Sequence, residues 1–142
     1  MTFTTIPGTG GSATTLVGSS AVDTVNIASD LTTNAFVGAQ QANDVINLTD
    51  SAKRTQFTIR GGQGADTIRF AGSAFEKSFL NGNADADTFG SNEDRGEFTD
   101  STLQGGQGAD TIFVRNAASS IVNGNKQNDT INFSGVATDA QI

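Results

Sequence analysis

Apolar side chains recur along this chain at a spacing of two residues, in short runs that each follow an aspartate. The second residue after the aspartate is Val25, Ile46, Ile68, Phe89, Ile112 or Ile131. The fourth residue after it is Ile27, Leu48, Phe70, Ser91, Val114 or Phe133. Because a period of two places alternate side chains on opposite faces of a strand, the pattern predicts six short strands with these residues facing inward.

A glycine-rich turn precedes each of these strands. The heptapeptide Gly61–Thr67 returns unchanged as Gly105–Thr111. Weaker copies run from Gly18 to Asp23, Gly38 to Asp44, Gly82 to Asp87 and Gly124 to Asp129. Two residues before the leading glycine stands an apolar residue, namely Leu16, Phe36, Ile59, Leu80, Leu103 or Val122. Each repeat is therefore predicted to contain a strand, a glycine turn, a second strand and a variable return loop, such as Ala71 to Lys77 or Ser91 to Asp100.

The repeat length indicates how these units are arranged. The turn aspartates are Asp23, Asp44, Asp66, Asp87, Asp110 and Asp129, at intervals of 19 to 23 residues. Such intervals are typical of solenoids, in which each repeat buries its apolar side chains against its neighbours. The sequence predicts an all-β fold, a parallel β-roll or β-helix solenoid of about six coils with a repeat of about 21 residues.

The repeats also divide the chain into three parts. Residues 14–133 carry the six copies and are predicted to form the solenoid. Residues 1–13, rich in Thr, Gly and Ser, are predicted to be a flexible arm or one edge strand, and residues 134–142 a C-terminal tail.

Composition and charge exclude several classes of function. The formal net charge of −7 argues against nucleic acid as a partner, because nucleic-acid binding needs a basic patch. No run of residues is long and apolar enough for membrane insertion, and the N-terminus lacks the features of a Sec signal peptide. Cysteine and histidine are both absent, so the commonest nucleophile–base pairs and the usual transition-metal ligands are missing. We therefore expect no enzymatic activity.

The glycine turns are candidate cation sites. A sharp glycine turn exposes main-chain carbonyl oxygens, and the aspartate that ends it adds a carboxylate. Oxygen ligands of this kind suit a hard cation such as Ca²⁺, and stacked turns can supply the number of ligands that one turn lacks. The alternative for every aspartate is a plain turn-forming role, since aspartate is common in tight turns. Asn83, Asp85 and Asp87 also mimic the start of an EF-hand loop, but the glycine and helices of that motif are missing.

Gly61–Thr67 and Gly105–Thr111 resemble the GGxGxDx nonapeptide of RTX, or hemolysin-type calcium-binding, repeats. The resemblance implies a parallel β-roll with Ca²⁺ between adjacent loops, export by type I secretion and folding outside the cell. Only one of the two turns in each coil carries the motif, so metal is expected on one side alone. In the first two coils an Asn and Gln ladder is the alternative to metal. The expected calcium-binding residues are Gly61, Gly62, Gly64, Asp66, Gly82, Asn83, Asp85, Asp87, Gly105, Gly106, Gly108, Asp110, Gly124, Asn125 and Asp129.

These observations favour an extracellular or cell-surface structural protein, stabilised by Ca²⁺, that self-associates into a fibre, layer or matrix. Unpaired strand edges at the ends of a solenoid leave end-to-end stacking open. A carbohydrate-binding module, with a polysaccharide as partner, is the alternative, although the chain has no tyrosine or tryptophan. A minor alternative is ice binding by the outward column Thr24, Val45, Thr67, Thr88, Thr111 and Thr130.

Overall fold

The chain folds into short β-strands wound into a solenoid. The structure is a computed structural model that describes residues 4–6, 14–27 and 29–142, and this part of the chain contains no helix. In chain order the strands are β1 (Thr4–Ile6), β2 (Thr14–Val17), β3 (Thr24–Ile27), β4 (Thr33–Gln41), β5 (Val45–Leu48), β6 (Lys53–Gln63), β7 (Thr67–Arg69), β8 (Ala74–Glu76), β9 (Phe79–Ala84), β10 (Thr88–Phe89), β11 (Gly96–Thr99), β12 (Thr102–Gln107), β13 (Thr111–Ala118), β14 (Ile121–Lys126), β15 (Thr130–Phe133) and β16 (Ala137–Thr138).

The strands form three sheets, each on one side of the solenoid and each built of parallel strands. The first sheet stacks β2, β4, β6, β9, β12 and β14, and the second stacks β3, β5, β7, β10, β13 and β15. The third contains the start of β6, then β8, β11, the end of β13 and β16. All described pairs are parallel except β1 with β2. The predicted fold class, a parallel β-solenoid of about six coils with a repeat of about 21 residues, is confirmed.

The third sheet occupies segments that we had predicted as return loops. Strand β8 lies within Ala71 to Lys77, and β11 lies within Ser91 to Asp100. These segments vary in length from repeat to repeat, so their strands share no spacing with the turn aspartates and were missed. In the longer segment, the carboxylate of Asp94 accepts the amides of Phe70 (2.8 Å) and Gly72 (3.2 Å). The acidic insertion thus closes the turn between the second and third sheets.

The predicted inward columns form the core, with one shift of register. Most of the predicted positions are buried, whereas Ser91, Ile131 and Phe133 are only partly so. In the second coil, however, Val37 is fully buried and Phe36 is only half-buried. Strand pairing aligns Val37 with Leu16 and Ile59, so the second glycine turn begins at Ala39 and not at Gly38. From the sequence, Phe36 was placed in the apolar column that precedes the leading glycine, but Val37 occupies that column, because the second turn starts with alanine and not with glycine.

Aromatic rings fill the core behind the third sheet. The rings of Phe75 and Phe98 stack with centroids 5.3 Å apart, and Phe70 meets both edge-on at 5.7 Å. Arg54 precedes Phe75 in the same inward column and is fully buried. Its guanidinium donates to the Leu31 carbonyl and, at 3.0 Å, to the carboxylate of Asp50. A buried charge of this kind persists because it is paired.

The two ends of the solenoid differ in how they are covered. At the N-terminal end, β1 pairs antiparallel with β2 and covers the edge of the first sheet; the rest of residues 1–13 lies outside the described residues. At the C-terminal end, β16 and Gln141 add to the stack, since Gln141 forms a bridge with Ile121. The last residues are thus partly integrated into the coils.

Candidate functional site

The candidate site is the turn between the first and second sheets, which we call the aspartate corner. It comprises residues 18–23, 39–44, 61–66, 82–87, 105–110 and 124–129. From the second coil onward, the second and fourth residues of each turn have positive φ angles. They are Gln40 and Ala42, Gly62 and Gly64, Asn83 and Asp85, Gly106 and Gly108, and Asn125 and Gln127. One backbone shape therefore serves both the full motifs and their weaker copies.

The glycines of the full motifs allow close approach between neighbouring coils. Gly106 and Gly108 have φ angles of 119° and 133°, a conformation that L-residues rarely adopt. A Cβ added at either position would collide with main-chain carbonyl oxygens of the preceding coil, at Asn83 and Asp85 respectively. In the weaker copies the same positions have φ angles near the left-handed region, where Asn and Asp are tolerated.

The weaker copies supply acceptors to the full motifs stacked beside them. The amide of Gly64 donates to the carboxylate of Asp85 at 2.9 Å, and the amide of Gly108 donates to Oε1 of Gln127 at 2.7 Å. Full and weak motifs thus alternate in complementary pairs. This places Asp85 on the exposed rim of the aspartate corner, apart from the buried Asp87 that was predicted to share a site with it.

The turn aspartates form a continuous ladder along the solenoid. The amide of each one except Asp129 donates to Oδ1 of the aspartate in the next coil. The distances are 2.6 Å from Asp23 to Asp44, 2.8 Å from Asp44 to Asp66, 2.8 Å from Asp66 to Asp87, 2.8 Å from Asp87 to Asp110 and 3.0 Å from Asp110 to Asp129. All but Asp129 are 1% exposed. The ladder satisfies the buried amides of the aspartates themselves, while neighbouring residues of the turn pair through the main chain.

The second oxygen of each inner carboxylate has no such partner. Oδ2 of Asp44, Asp66, Asp87 and Asp110 is buried and accepts no hydrogen bond within the described residues. A buried carboxylate oxygen without a donor is costly, because the interior does not replace the water that it loses. The aspartate corner therefore has more acceptors than donors.

Main-chain carbonyl oxygens lie beside the same glycines as these carboxylate oxygens. Oδ2 of Asp66 and the carbonyl oxygen of Gly82 both lie beside Gly61, within reach of the point where a Cβ would stand. In the next coil, Oδ2 of Asp87 and the carbonyl oxygen of Gly105 lie in the same way beside Gly82. Each gap between these coils thus brings together a carboxylate oxygen from one coil and a carbonyl oxygen from the next. The absence of a side chain at the leading glycine makes room for both.

Burial changes the protonation of the carboxylates. The pKa of Asp66 is raised to about 7 and that of Asp87 to about 8, mainly by desolvation; amide hydrogen bonds oppose the rise, and neighbouring carboxylates contribute to it. Burial also raises the pKa of Asp44 and Asp110. At the N-terminal end, hydrogen bonds from Ser19 lower the pKa of Asp23. The centre of the ladder is where negative charge is least favourable.

The structure brings the predicted site residues together as columns running along the solenoid. The leading glycines form a buried column, and the turn aspartates form the ladder. Asn83, Asn125 and Asp85 occupy left-handed positions nearer the surface. Over residues 4–6, 14–27 and 29–142, no group of three or more acidic side chains is placed to hold a metal ion. A cation at the aspartate corner would therefore depend on main-chain oxygens together with single carboxylates.

The first two coils continue the ladder with other polar contacts. Nε2 of Gln40 donates to the Gly18 carbonyl at 2.9 Å, and Oδ1 of Asn43 accepts the amide of Ala65 at 2.9 Å. Gln40 and Asn43 thus link the second coil to its neighbours on either side. Ala39 takes the place of the leading glycine there. The space that the leading glycine leaves for a carboxylate and a carbonyl oxygen in the later coils is therefore altered in the second coil.

A second ladder, at the turn between the third and first sheets, was missed by the sequence analysis. We call this turn the serine corner, after Ser78, Ser101 and Ser120. The amides of Phe57, Ser78 and Ser101 donate to the hydroxyl of the serine in the next coil at 3.0 to 3.1 Å. Each hydroxyl in turn donates to a carbonyl two residues earlier. The sequence does carry a signal for this ladder, because each serine stands two residues before an inward apolar residue of the first sheet.

An open groove of about 850 Å³ runs across the outer face of the first sheet. Amide side chains dominate its lining, including Gln63, Asn81, Gln107 and Asn123, and Lys126 is the one ionised side chain among the residues that line it. The groove crosses four coils.

Neither a protein-family model nor a curated protein nor a solved structure matches this chain. Its resemblance to RTX repeats therefore stays at the level of the motif. What the fold defines is the class, a parallel β-solenoid repeat protein of about six coils. Within the described residues there is no helix that could span a membrane.

Proposed function

We propose that this protein is a structural β-solenoid of the RTX type, stabilised by Ca²⁺ at the aspartate corner. The observation that carries the proposal is the row of buried Oδ2 atoms that have no donor. Two oxygens with partial or full negative charge lie beside the same glycine in successive coils, and a cation bound there would relieve their repulsion.

The residues fit such a cation. Asp66 with the Gly82 carbonyl, and Asp87 with the Gly105 carbonyl, are the oxygens that would hold it, and Asp110 extends the row. Hard oxygen ligands suit Ca²⁺, and histidine and cysteine, which transition metals prefer, are absent from the chain. When bound, Ca²⁺ supplies the positive charge that the buried carboxylates lack. Because the ligands come from successive coils, binding is coupled to folding.

A Ca²⁺ titration of EDTA-stripped protein tests this proposal. We expect the urea midpoint, followed by far-UV circular dichroism, to rise as Ca²⁺ is added, and calorimetry to detect bound Ca²⁺. The triple variant with Asp66→Asn, Asp87→Asn and Asp110→Asn should lose most of this response. The matched control replaces three exposed aspartates outside the aspartate corner, Asp30, Asp100 and Asp139, by asparagine and should keep it.

Two results would contradict calcium binding. One is a stripped protein whose stability does not change with Ca²⁺. The other is a triple variant that binds as much Ca²⁺ as the native chain, since the buried carboxylates would then be turn-forming groups alone.

The structural role and the location outside the cell belong to the same proposal. A Ca²⁺ requirement suits the exterior, where the ion is abundant, and the net charge of −7 suits a protein that takes up cations. We propose export by type I secretion and self-association of the exported protein. Sedimentation at each point of the Ca²⁺ titration tests self-association. Fractionation of cells with and without a type I exporter tests the route, and retention of all protein in the cytosol would contradict it.

The amide-lined groove supports a second candidate function, the binding of a polysaccharide. Amides both donate and accept hydrogen bonds, as sugar hydroxyls do, and the groove is long enough for a chain that crosses four coils. Because it holds a single ionised residue, we expect a neutral polysaccharide. Affinity electrophoresis in gels containing neutral or anionic polysaccharides tests this, with Gln63→Ala plus Gln107→Ala as the loss-of-binding variant and Arg69→Ala, on the second sheet, as its control.

A further inference from the structure

The C-terminal edge of the second sheet is open within the described residues. Strand β15 pairs with β13 alone and has no described neighbour on its other side. Its inward residues Ile131 and Phe133 are only partly buried, whereas Ile112 and Val114, one coil earlier, are fully buried. The edge therefore presents unpaired main-chain groups together with an incompletely covered core. Edges of this kind favour the addition of another strand.

The N-terminal edge of the same sheet carries a matching sequence pattern, although its inward residues Val25 and Ile27 are buried. Strand β3 pairs with β5 alone within the described residues. Its sequence is Thr-Val-Asn-Ile, and that of β15 is Thr-Ile-Asn-Phe, so both strands alternate Thr and Asn outward with apolar residues inward. The middle coils break the outward asparagine column with Arg69, Gly90 and Phe113. The pattern returns only at the end that would meet β3 of another copy.

A contact inside the solenoid shows how two such strands fit together. Strands β3 and β5 pair in register, and Nδ2 of Asn47 donates to Oδ1 of Asn26 at 2.9 Å. Placing β3 of a second copy after β15 in the same register would bring Asn26 beside Asn132 and Val25 beside Ile131. The same amide pairing could then form across the junction, while the partly buried Ile131 and Phe133 would be covered.

We propose that copies of this chain stack head to tail, with β15 of one copy pairing in parallel with β3 of the next. This inference specifies the self-association of the proposed function and rests on it. Strand β1 stands in the way of a complete junction, because it adds one strand to the N-terminal edge of the first sheet alone. A continuous junction of all three sheets therefore requires β1 to leave β2, so β1 restrains assembly.

Engineered disulfides test the junction, since the native chain has no cysteine and gives no background. Residues in register on neighbouring strands are about 4.8 Å apart, within the range that a disulfide spans. After mild oxidation, a variant with Asn26→Cys and Asn132→Cys should give a ladder of covalent oligomers on a non-reducing gel. The variant with Arg69→Cys and Asn132→Cys uses the same outward column at a position inside the stack and should give none.

Each outcome bears on the proposal. A ladder from the first pair alone supports it, as does a shift to larger species when residues 1–6 are deleted. Dimers from Asn132→Cys alone would overturn it in favour of tail-to-tail contact. Sedimentation that shows large species without any cross-link would overturn this junction while leaving self-association intact. A strict monomer at all Ca²⁺ concentrations would overturn both.

Charge at the junction gives a second measurement that does not depend on disulfide formation. Asn26→Asp together with Asn132→Asp would place two carboxylates opposite each other, and like charges in register are unfavourable. We expect the weight-average mass to fall by at least half relative to the native chain. Asn47→Asp, in the same column inside the stack, is the control and should leave the mass unchanged. An unchanged mass in the double variant would overturn the junction.

Discussion

The aspartate corner and the serine corner have the same hydrogen-bond architecture in different chemistry. At both, a buried side-chain oxygen accepts the amide of the equivalent residue in the preceding coil, for example Asp110 for Asp87 and Ser101 for Ser78. The serine hydroxyl then donates its own proton to a nearby carbonyl, as Ser101 does to Thr99 at 2.7 Å. The carboxylate has no proton to donate, and its second oxygen stays without a partner.

This difference separates a structural ladder from a candidate binding site. A neutral hydroxyl balances its donors and acceptors, so the serine corner is complete without a ligand. The carboxylate column carries charge and surplus acceptors into a buried turn, so the aspartate corner remains unbalanced until a proton or a cation is supplied. The same kind of hydrogen-bond ladder thus stabilises the fold at the serine corner and leaves free acceptors for a cation or a proton at the aspartate corner.

The pH dependence of stability should show the largest difference between the two corners. In Ca²⁺-free protein the pKa of Asp66 and Asp87 is about 7 and about 8, against 3.8 as the ordinary value. The folded state therefore binds more protons than the unfolded state between pH 4 and pH 8. Across that window the free energy of unfolding should fall as pH rises, by roughly 1.4 kcal/mol per pH unit for each titrating carboxyl, and should level off above pH 8.

Urea denaturation in EDTA at pH 5, 6, 7, 8 and 9 measures this dependence. The variant with Asp66→Asn and Asp87→Asn should show a flatter profile, because the central carboxyls no longer titrate. Stability that is constant or rises between pH 5 and pH 8 would show that the carboxylates are not destabilised by burial.

Substitution of a full-motif glycine should show that the aspartate corner also depends on close backbone contact. Gly108→Ala would force an alanine to a φ of 133° and drive its Cβ against the carbonyl of Asp85. We expect a loss of about 3 kcal/mol. Gly72→Ala is the control, because that φ is 74° and the nearest atom to the added Cβ would be 3.8 Å away; it should cost about 1 kcal/mol. Equal losses by urea denaturation would contradict the backbone argument.

Removal of a serine hydroxyl should cost stability without touching the ligand response. Ser101→Ala leaves the buried amide of Ser78 without its acceptor, and we expect a loss of about 2 kcal/mol. Because the serine corner is neutral, this loss should be the same at pH 5 and pH 9 and with or without Ca²⁺. A loss that changes with Ca²⁺ would mean that the two corners are coupled through the coils. Ser134→Ala, at an exposed position, is the control.

Giving the aspartate corner a donor should have the smallest effect and the opposite sign. Asp87→Asn keeps an acceptor for the amide of Asp66 and replaces Oδ2 by an amide nitrogen that can donate to the Gly105 carbonyl. At pH 8 in EDTA we expect a gain of about 1 kcal/mol, since the desolvated charge is removed. The gain should vanish in Ca²⁺ if the carboxylate holds the ion. A loss of stability in EDTA would show that Oδ2 is satisfied as an anion.

The sequence predicted the parts of the structure that repeat at a fixed distance from the turn aspartate. The coil number, the parallel stacking and nearly all inward residues of the first and second sheets follow from that spacing. The start of the second turn was misplaced by one residue because glycine was taken to mark it, whereas Ala39 and not Gly38 opens that turn. The third sheet and the serine corner lie in segments of variable length, which an alignment on the aspartates places out of register.

For the candidate site too, some features follow from the sequence and others only from the tertiary structure. The sequence alone determined which residues form the glycine turns and that their aspartates stack in one column, because a repeat of constant length places equivalent residues in neighbouring coils. Only the tertiary structure decided that one carboxylate oxygen is used by an amide and the other is not, and that Asp85 faces the rim while Asp87 faces the interior. Burial and hydrogen-bond direction depend on which atoms of the next coil lie opposite, and no spacing within one repeat contains that information.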